Sequence, residues 1–382
     1  MTSTTAQKPR LLTRAFVLAV LAGCGSSVSF YLLFSVVPLY ATSAGADGIG
    51  AGLTTGVMML ATVLAELATP WLLARYGCRL VFAAGLVLLG APALVLSVSA
   101  DFTAILVVCV VRGLGFAIVA VLGSALVAQA VPAERRGEGL GVYGVVCGIP
   151  SMAALPLGIW LAEAVGFPVV FVAGGVAALI GLGAVRGLPG RQPVPPDGML
   201  VSLRTSSGLV GPSVLFAATT MAAGVVATFL PLAVAGAATA LFAQSASTTV
   251  SRWWAGRYGD RHGSARLLWP GLLLAAAGMV LAAAGMVLAA AGPATVLAGM
   301  VLFGAGFGVT QNASMAVMLD RVPASSYGAV SALWNIAYDL GLGAGAVGFG
   351  FVAAHTGYPA GFALTGALML LALTIRHRKA TS

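Results

Sequence analysis

Basic residues alternate with long apolar runs along this chain, and that alternation constrains its fold more than any other feature. Of the 19 Lys and Arg residues, only Arg112 lies inside a long apolar run, and the others fall in every second gap between runs. The intervening gaps carry neither Lys nor Arg. Because short loops rich in Lys and Arg stay in the cytoplasm, the pattern predicts an even number of membrane crossings with both termini cytoplasmic.

The composition excludes a soluble domain and argues against a nucleic-acid-binding protein. The chain is 60% hydrophobic and 8% charged, which leaves too little polar surface to cover a soluble core. The net charge is +9, but the basic residues are spread over all the predicted cytoplasmic loops and form no single stripe. We therefore attribute them to orientation and to contact with anionic membrane lipid, and we expect no nucleic-acid partner.

Apolar runs separated by turn signals predict an all-α membrane protein with twelve transmembrane helices. The predicted spans are 14–41, 50–73, 79–99, 102–129, 138–164, 166–186, 208–235, 238–256, 266–288, 292–319, 326–353 and 358–376. Residues 1–186 form the predicted N-terminal six-helix bundle, 187–207 a proline-containing cytoplasmic linker, and 208–382 the C-terminal six-helix bundle.

The two halves repeat each other in sequence. Residues 131–139 and 322–330 both begin Val-Pro-Ala, at an offset of 191. The segment Arg75-Tyr76-Gly77 aligns with Arg261-His262-Gly263 at an offset of 186. Two matches at nearly equal offsets predict a duplicated six-helix unit, and parallel repeats of this kind recur among transporters.

The segment 256–263 contains the most specific motif, between the predicted eighth and ninth helices. Gly256, Asp260, Arg261 and Gly263 fit the pattern Gly-x-x-x-Asp-Arg-x-Gly, and here the chain resembles the major facilitator superfamily. The resemblance extends over roughly 14–376. It implies two pseudo-symmetric bundles around a central cavity lined by helices one, four, seven and ten, with five and eleven beside it.

This motif is a candidate cytoplasmic gate. Asp260 can cap a helix or pair with an arginine across the cytoplasmic face, so that the pair acts as a conformational latch. The alternative is that the residues only cap a tight loop and follow the charge rule. The first-half copy retains Arg75, Gly77 and Arg79 but has Pro70 and Ala74 where the family has Gly and Asp. We therefore expect the C-terminal copy to carry the role.

Arg112 is a candidate functional residue because a charge near the membrane midplane needs a cavity or a partner. In the resemblance it matches the helix-four arginine implicated in proton transfer or substrate binding in proton-coupled exporters. An arginine stays protonated, so it would act by holding or releasing a carboxylate. The alternative is a structural hydrogen bond to the backbone or to Ser residues of helix one.

Two acidic residues, Glu66 and Asp339, lie well inside apolar runs and are candidate proton carriers. Asn335 precedes Asp339 by one helical turn, and Trp334 and Tyr338 form an adjacent aromatic strip. We expect this group on helix eleven to face the cavity. A structural polar pair is the alternative for Asp339, and an ion pair with a loop arginine is the alternative for Glu66.

Helix five carries Gly148, Pro150, Pro156 and Gly158, which resemble in loose form a Gly- and Pro-rich motif of the family's exporters. These residues permit kinking and close packing between the halves. The resemblance therefore extends to the twelve-helix drug or metabolite:proton antiporter group.

These features predict a secondary active transporter, not an enzyme, that expels a small, partly apolar drug or metabolite in exchange for protons by alternating access. It would need no cofactor or metal, only the proton gradient, and would work as a monomer in the bacterial plasma membrane. One intramembrane cation and few carboxylates favour neutral or cationic cargo. The alternatives are an importer of a sugar or organic acid, and a non-transporting membrane receptor or scaffold.

Overall fold

The structure, a computed structural model, describes residues 14–130, 136–188, 208–288, 292–323 and 326–377. Nearly all of these residues are helical and none of them forms a strand, which confirms the all-α prediction. All but the first two residues of the linker predicted over 187–207 fall outside the described part of the chain. The division into domains at that linker stays a prediction.

The α-helices of the described chain are numbered here in order, and a single 3₁₀ turn, Ser264–Leu267, lies between α10 and α11. Their bounds are α1 Arg14–Phe34, α2 Val36–Ser43, α3 Gly48–Tyr76, α4 Cys78–Val95, α5 Phe102–Ala130, α6 Arg136–Val165, α7 Phe167–Ile180, α8 Leu182–Val185, α9 Val210–Ala233, α10 Ala237–His262, α11 Leu268–Val287, α12 Gly292–Leu319 and α13 Tyr327–His377.

Ten segments of the described chain are long and apolar enough to cross a membrane, which supports a multi-pass protein. The last of them, Ala329–Ala372, changes direction at Gly357 and therefore contains two helices in sequence. Helix α10 is also long, but its polar residues exclude it from the apolar set. It takes the place of the predicted span 238–256 and continues to His262. The count of twelve crossings stays a prediction.

Glycines with positive φ mark equivalent turns in the two halves. Gly77 (φ 81°) follows α3 and Gly263 (φ 87°) follows α10, at the aligned positions of the Arg-x-Gly repeat. Gly166 (φ 93°) and Gly357 (φ 76°) form a second pair, and each precedes an aromatic residue and a proline. Only glycine adopts this region without strain. The second pair has the 191-residue offset of the sequence repeat, although the sequence comparison did not identify it.

The helices pack in two groups that meet along two seams. Helices α1–α8 form the N-terminal group and α9–α13 the C-terminal group, with α1 against α6 in the first and α11 against α12 in the second. Between the groups, α3 packs along α13 and α6 packs along α10. We call these contacts the α3–α13 seam and the α6–α10 seam.

The groups are in tight contact at one end of the bundle. A Cβ added to Gly52 would overlap the carbonyl oxygen of Ala346, so this approach of α3 to α13 requires glycine. The Thr55 and Thr228 hydroxyls hydrogen-bond at 2.9 Å and join α3 to α9. We call this the closed end. The basic end is the opposite one, where α3 and α10 terminate and where Arg75 and Arg261 lie.

Candidate functional site

A cavity of about 550 Å³ lies between the two helix groups and extends to the basic end. Its walls come from α1 and α6 of the N-terminal group and from α9, α10, α12 and α13 of the C-terminal group. At the rim, the side chain of Trp253 is 60% exposed. Small-molecule sites occupy about 300–1,000 Å³, so this cavity has the size of a ligand site. No residue of α5 is among the described lining residues, whereas α10 contributes a whole strip.

The polar wall of the cavity belongs to α10. Gln244, Ser245, Thr248, Thr249 and Arg252 follow one another at helical spacing and all line the cavity. The Gln244 amide donates to the Thr248 hydroxyl at 3.1 Å, and that hydroxyl also donates to the Gly304 carbonyl at 3.1 Å. This wall explains why α10 is the polar helix of the bundle.

Arg252 is the positive charge of this wall. It is exposed at the mouth of the cavity, and it makes no hydrogen bond or ion pair with any other described residue. Tyr338 of the other wall lies close enough to interact with it electrostatically. The guanidinium therefore faces the cavity with its donors free for a ligand.

Aromatic rings form the other wall. Phe303 stacks on Phe307 with centroids 5.9 Å apart, and the Phe307 ring lies 6.4 Å from that of Tyr338. Tyr338 forms a side-chain hydrogen bond with Tyr31, which links α13 to α1 across the two helix groups. This wall provides flat apolar surface next to a polar strip.

Gln311 adds an unpaired acceptor to the cavity. Its side chain lines the wall from α12, and its Oε1 atom is buried without a hydrogen-bond partner. A buried unpaired acceptor of this kind costs about 1–3 kcal/mol, and a bound molecule with an N–H or O–H group would remove that cost. Its neighbour Asn312 lines the same region.

Glu66 and Asp339 approach each other across the α3–α13 seam. Asp339 is 4% exposed, and the two carboxyl groups are close enough to interact electrostatically. The Oε2 atom of Glu66 is buried and has no hydrogen-bond partner. The structure thus brings together the two acidic residues that the sequence analysis singled out, but neither of them lines the cavity.

Arg112 lies away from the cavity, in the core of the N-terminal group. It is 1% exposed, and its guanidinium donates to the Leu89 carbonyl at 2.6 Å and to the Ser29 carbonyl at 3.0 Å. These bonds join α5 to α4 and α1. They correspond to the structural alternative weighed for this residue and do not connect it to the cavity.

The other candidates on the predicted eleventh helix, which is the first part of α13, lie in two different environments. Tyr338 lines the cavity, whereas Trp334 packs inside the C-terminal group. The Trp334 indole donates to the Ser314 hydroxyl at 3.0 Å and its ring stacks on Phe216 with centroids 4.4 Å apart. Asn335 is half-buried one turn before Asp339.

The C-terminal gate motif forms the last turns of α10 and the turn after them. Asp260 and Arg261 are exposed on the final turn, and Gly263 ends the helix with its positive φ. Asp260 makes no ion pair within the described part of the chain. Gly256 faces α12, and a Cβ there would lie 3.5 Å from the Asn312 amide, an ordinary van der Waals contact, so this approach does not itself require glycine.

The N-terminal copy of the motif is built differently. The Arg75 guanidinium lies 5.9 Å from the centroid of the Trp71 ring and 5.7 Å from that of Tyr76. Arg79 donates to the backbone carbonyl of Leu188, which ties the start of α4 to the end of the N-terminal group. Gly77 makes the turn between α3 and α4. These arginines thus contact aromatic rings and backbone within their own group.

The Gly and Pro residues of α6 lie along the α6–α10 seam and the contact with α1. Pro150 and Pro156 are inside the helix, where each removes a backbone hydrogen bond. Gly148 lines the cavity, and a Cβ at Gly158 would overlap the Leu32 carbonyl oxygen of α1. The helix can therefore bend beside the cavity while it stays close to α1.

The sequence analysis missed the polar strip of α10 and the role of Arg252 in it. Arg252 was grouped with the loop arginines because it lies near the cytoplasmic end of the eighth apolar run. The signal that would have identified it is the spacing of Gln244, Thr248 and Arg252, which recur every four residues and share one helix face.

Comparisons with known proteins agree on family and fold. The sequence profile of the Major Facilitator Superfamily matches residues 19–236, more than half of the chain. No curated protein matches the chain in sequence.

Three similar solved structures are transporters. One is a POT family transporter in complex with a thioalcohol-conjugated peptide (TM-score 0.80, 12% identity, 96% of each chain covered). Another is a bacterial homologue of the human lysosomal transporter Spinster in an inward-facing and occupied conformation (TM-score 0.77, 13% identity, 94% of each chain covered). The third is the nucleoside transporter NupG (TM-score 0.70, 13% identity, 95% of this chain and 97% of that chain covered). At these identities the likeness concerns the fold.

Proposed function

The chain belongs to the major facilitator superfamily, and from that membership we propose that it is a secondary active exporter of a small, partly apolar molecule, driven by protons. The family and the transporter neighbours support secondary transport across a membrane. The direction of transport, its coupling to protons and the nature of the cargo are what we propose beyond the family assignment. We further propose that it needs no cofactor and that it works as a monomer.

The observation that carries the proposal is a cavity that opens at one end only, with a buried carboxyl pair at the neighbouring seam. Such a cavity corresponds to one state of an alternating-access cycle, in which the two groups rock about a central site. The positive-inside rule assigns the basic end to the cytoplasm of a bacterial cell. The cavity would then load from the cytoplasm and release outside.

The carboxyl pair offers a way to couple protons to this motion. Two carboxylates side by side in apolar surroundings repel each other, and one bound proton removes that repulsion. Glu66 and Asp339 belong to different helix groups, so the repulsion acts directly between the moving parts. A proton therefore favours the state described here, and its loss to the cytoplasm favours departure from that state. This order of events is the one that exchange of an internal cargo for an external proton requires.

The other candidate residues take supporting roles in this cycle. Asp260 and Arg261 would close the basic end in the outward-open state, in which their ion-pair partners approach. The Gly148 to Gly158 region of α6 would bend as the α6–α10 seam opens. Arg112 holds α1, α4 and α5 together, so the N-terminal group moves as one body.

The test is accumulation of a panel of dyes, antibiotics and metabolites in an efflux-deficient bacterium, with and without this protein. We expect lower accumulation of at least one compound, restored by a protonophore and by Asp339→Asn. The matched control is Glu163→Gln, which removes an exposed carboxylate from α6. Raised accumulation would indicate import, and a protonophore-insensitive decrease would overturn proton coupling.

A further inference from the structure

We infer that the cargo is an amphipathic organic monoanion whose negative group is held by Arg252. The inference rests on the proposed function in one respect, namely that the cavity is the transport site. It concerns the chemistry of the molecule, which the family does not specify.

The charge of the cavity decides the sign of the ligand. Among the described lining residues, Arg252 is the only ionised group at neutral pH. Of the described carboxyl groups, Glu66 and Asp339 lie at the α3–α13 seam and not on the cavity wall. An unpaired guanidinium in a partly apolar cleft attracts an anion and repels a cation. A cationic ligand would find no counter-charge on this wall.

One guanidinium also limits the number of negative charges. Its fork of donors can bind both oxygens of one carboxylate, or two oxygens of a sulfonate or of a phosphate diester, each of which carries one negative charge. A second negative charge would enter the same cavity without a described cation to pair with it, and desolvation of that charge would oppose binding. The wall therefore fits a monoanion better than a dianion.

The other residues that line the cavity indicate the chemistry of the uncharged part of the ligand. Ser245, Thr248 and Thr249 line the cavity on the same face of α10 as Arg252, and their hydroxyl protons already go to Gln244, Gly304 and Ser245, so the anionic group depends on Arg252. The rings of Phe303, Phe307 and Tyr338 offer apolar surface for a flat ring or a branched chain. The unpaired Oε1 atom of Gln311 can accept a hydrogen bond from an N–H or O–H group on the uncharged part of the ligand.

This inference departs from the sequence-based expectation of neutral or cationic cargo. That expectation counted Arg112 as the cavity cation and the two acidic residues as its possible counterparts. In the structure Arg112 is bound to backbone carbonyls in the core, and Arg252 faces the cavity with no acidic partner among the residues that the structure describes. The described residues that line the cavity therefore carry a net positive charge.

The experiment uses three probes with one ring system: 2-naphthoate, 2-naphthamide and 2-naphthylmethylammonium. Binding to the purified full-length protein in detergent is measured by calorimetry, without a proton gradient. We expect 2-naphthoate to bind about tenfold or more tightly than the amide, since a hydrogen bond to a charged group adds about 1.5–3 kcal/mol. The ammonium probe should bind most weakly.

Three variants assign this preference to Arg252. Arg252→Gln should remove the preference for the naphthoate, and Arg252→Lys should retain part of it, since Lys keeps the charge but loses the fork. The matched control is Arg257→Gln, which removes a charge from the same helix outside the cavity. Should Arg252→Gln fail to fold, the ranking of the three probes on the wild-type protein and the Arg252→Lys result still decide the question.

Tighter binding of the amide or ammonium probe, absence of naphthoate binding at millimolar concentration, or an unchanged preference in Arg252→Gln would overturn the inference. Vesicle flux then separates it from the proposed function. Proton-driven export of cations alone would contradict the inference that the cargo is an anion, but it would still support the proposed exporter function. Naphthoate binding through Arg252 without protonophore-sensitive flux supports the inference and overturns the proposed coupling.

Discussion

Glu66 and Arg252 occupy equivalent positions in the two halves of the chain. Glu66 precedes Gly77 by as many residues as Arg252 precedes Gly263. Each of these glycines ends its helix with a positive φ. Asp339 and Gly148 are related in the same way through Gly357 and Gly166. The α3–α13 seam therefore carries two carboxyl groups where the α6–α10 seam carries a guanidinium and a glycine. The helix geometry is thus the same in both halves, whereas the equivalent positions of the two seams carry acidic groups in one seam and a basic group in the other.

Loss of either carboxyl group should uncouple transport from protons. For Asp339→Asn and Glu66→Gln we expect a decrease of about tenfold or more in proton-driven flux, with folding intact, since each change removes the repulsion that a proton relieves. The double variant should be no worse than the single ones, because the two groups act as one unit. Flux in vesicles with an imposed pH gradient measures this.

Glu163→Gln serves as the control for that series, since it removes an exposed carboxylate from α6. Additive losses in the double variant would show that the two carboxyl groups act independently. Unchanged pH dependence in Asp339→Asn would show that this residue carries no proton in the cycle.

Replacement of Arg112 should destabilise the N-terminal group before it affects the cavity. Arg112→Ala removes two hydrogen bonds from a charged donor to the carbonyls of Ser29 and Leu89, each worth about 1.5–3 kcal/mol, and leaves a void in the core. We expect a lower melting temperature in detergent. Naphthoate affinity of the folded fraction should be unchanged. A normal melting temperature with lost binding would instead assign Arg112 to the ligand site.

The sequence alone was sufficient for the class of fold, because the spacing of basic residues and apolar runs reflects the thickness and orientation of a membrane. Most helix bounds follow from the same signal: α12, for example, begins and ends at the predicted residues 292 and 319. The pairing of Glu66 with Asp339 was not predictable, since it depends on which helices of the two halves become neighbours.

The identity of the cavity cation was not predictable for a different reason. The sequence analysis considered only Arg112 for that role, because Arg112 alone lies inside a long apolar run. In the structure Arg112 is buried in the core, and its guanidinium donates to the carbonyl groups of Leu89 and Ser29 on neighbouring helices. Arg252 is closer to the end of its helix, where the wall of an open cavity still reaches it.

Removal of the Asp260 charge should shift the protein toward the state that is open at the basic end. Asp260 is exposed and without an ion pair among the described residues, so Asp260→Asn should not change this state. It should weaken the outward-open state if the latch forms there. We expect faster labelling of Thr249→Cys by a membrane-impermeant maleimide added to inside-out vesicles. Asp320→Asn, an exposed acid at the end of α12, is the control.

A disulfide at the closed end should lock the protein in the state described here. The hydroxyl oxygens of Thr55 and Thr228 are 2.9 Å apart and belong to different helix groups. The double variant Thr55→Cys/Thr228→Cys should therefore cross-link on oxidation and lose transport, with recovery after reduction. Thr55→Cys alone is the control. Full transport by the cross-linked protein would show that this contact does not open during the cycle.

Export of a monoanion in exchange for a proton should respond strongly to the membrane potential. One negative charge leaves and one positive charge enters in each turn, and each charge contributes about 2.3 kcal/mol per 100 mV. With the inside negative, both movements are downhill, so a potassium diffusion potential imposed with valinomycin should accelerate naphthoate export even without a pH gradient. Arg252→Gln should abolish this response for the anion, whereas Arg257→Gln should preserve it. Export of the neutral acid, or of the anion together with a monovalent cation, in exchange for one proton would move one charge per turn instead of two. The charge moved per naphthoate, recorded on a solid-supported membrane, distinguishes these from the predicted exchange, and electroneutral export would contradict exchange of the anion for a proton.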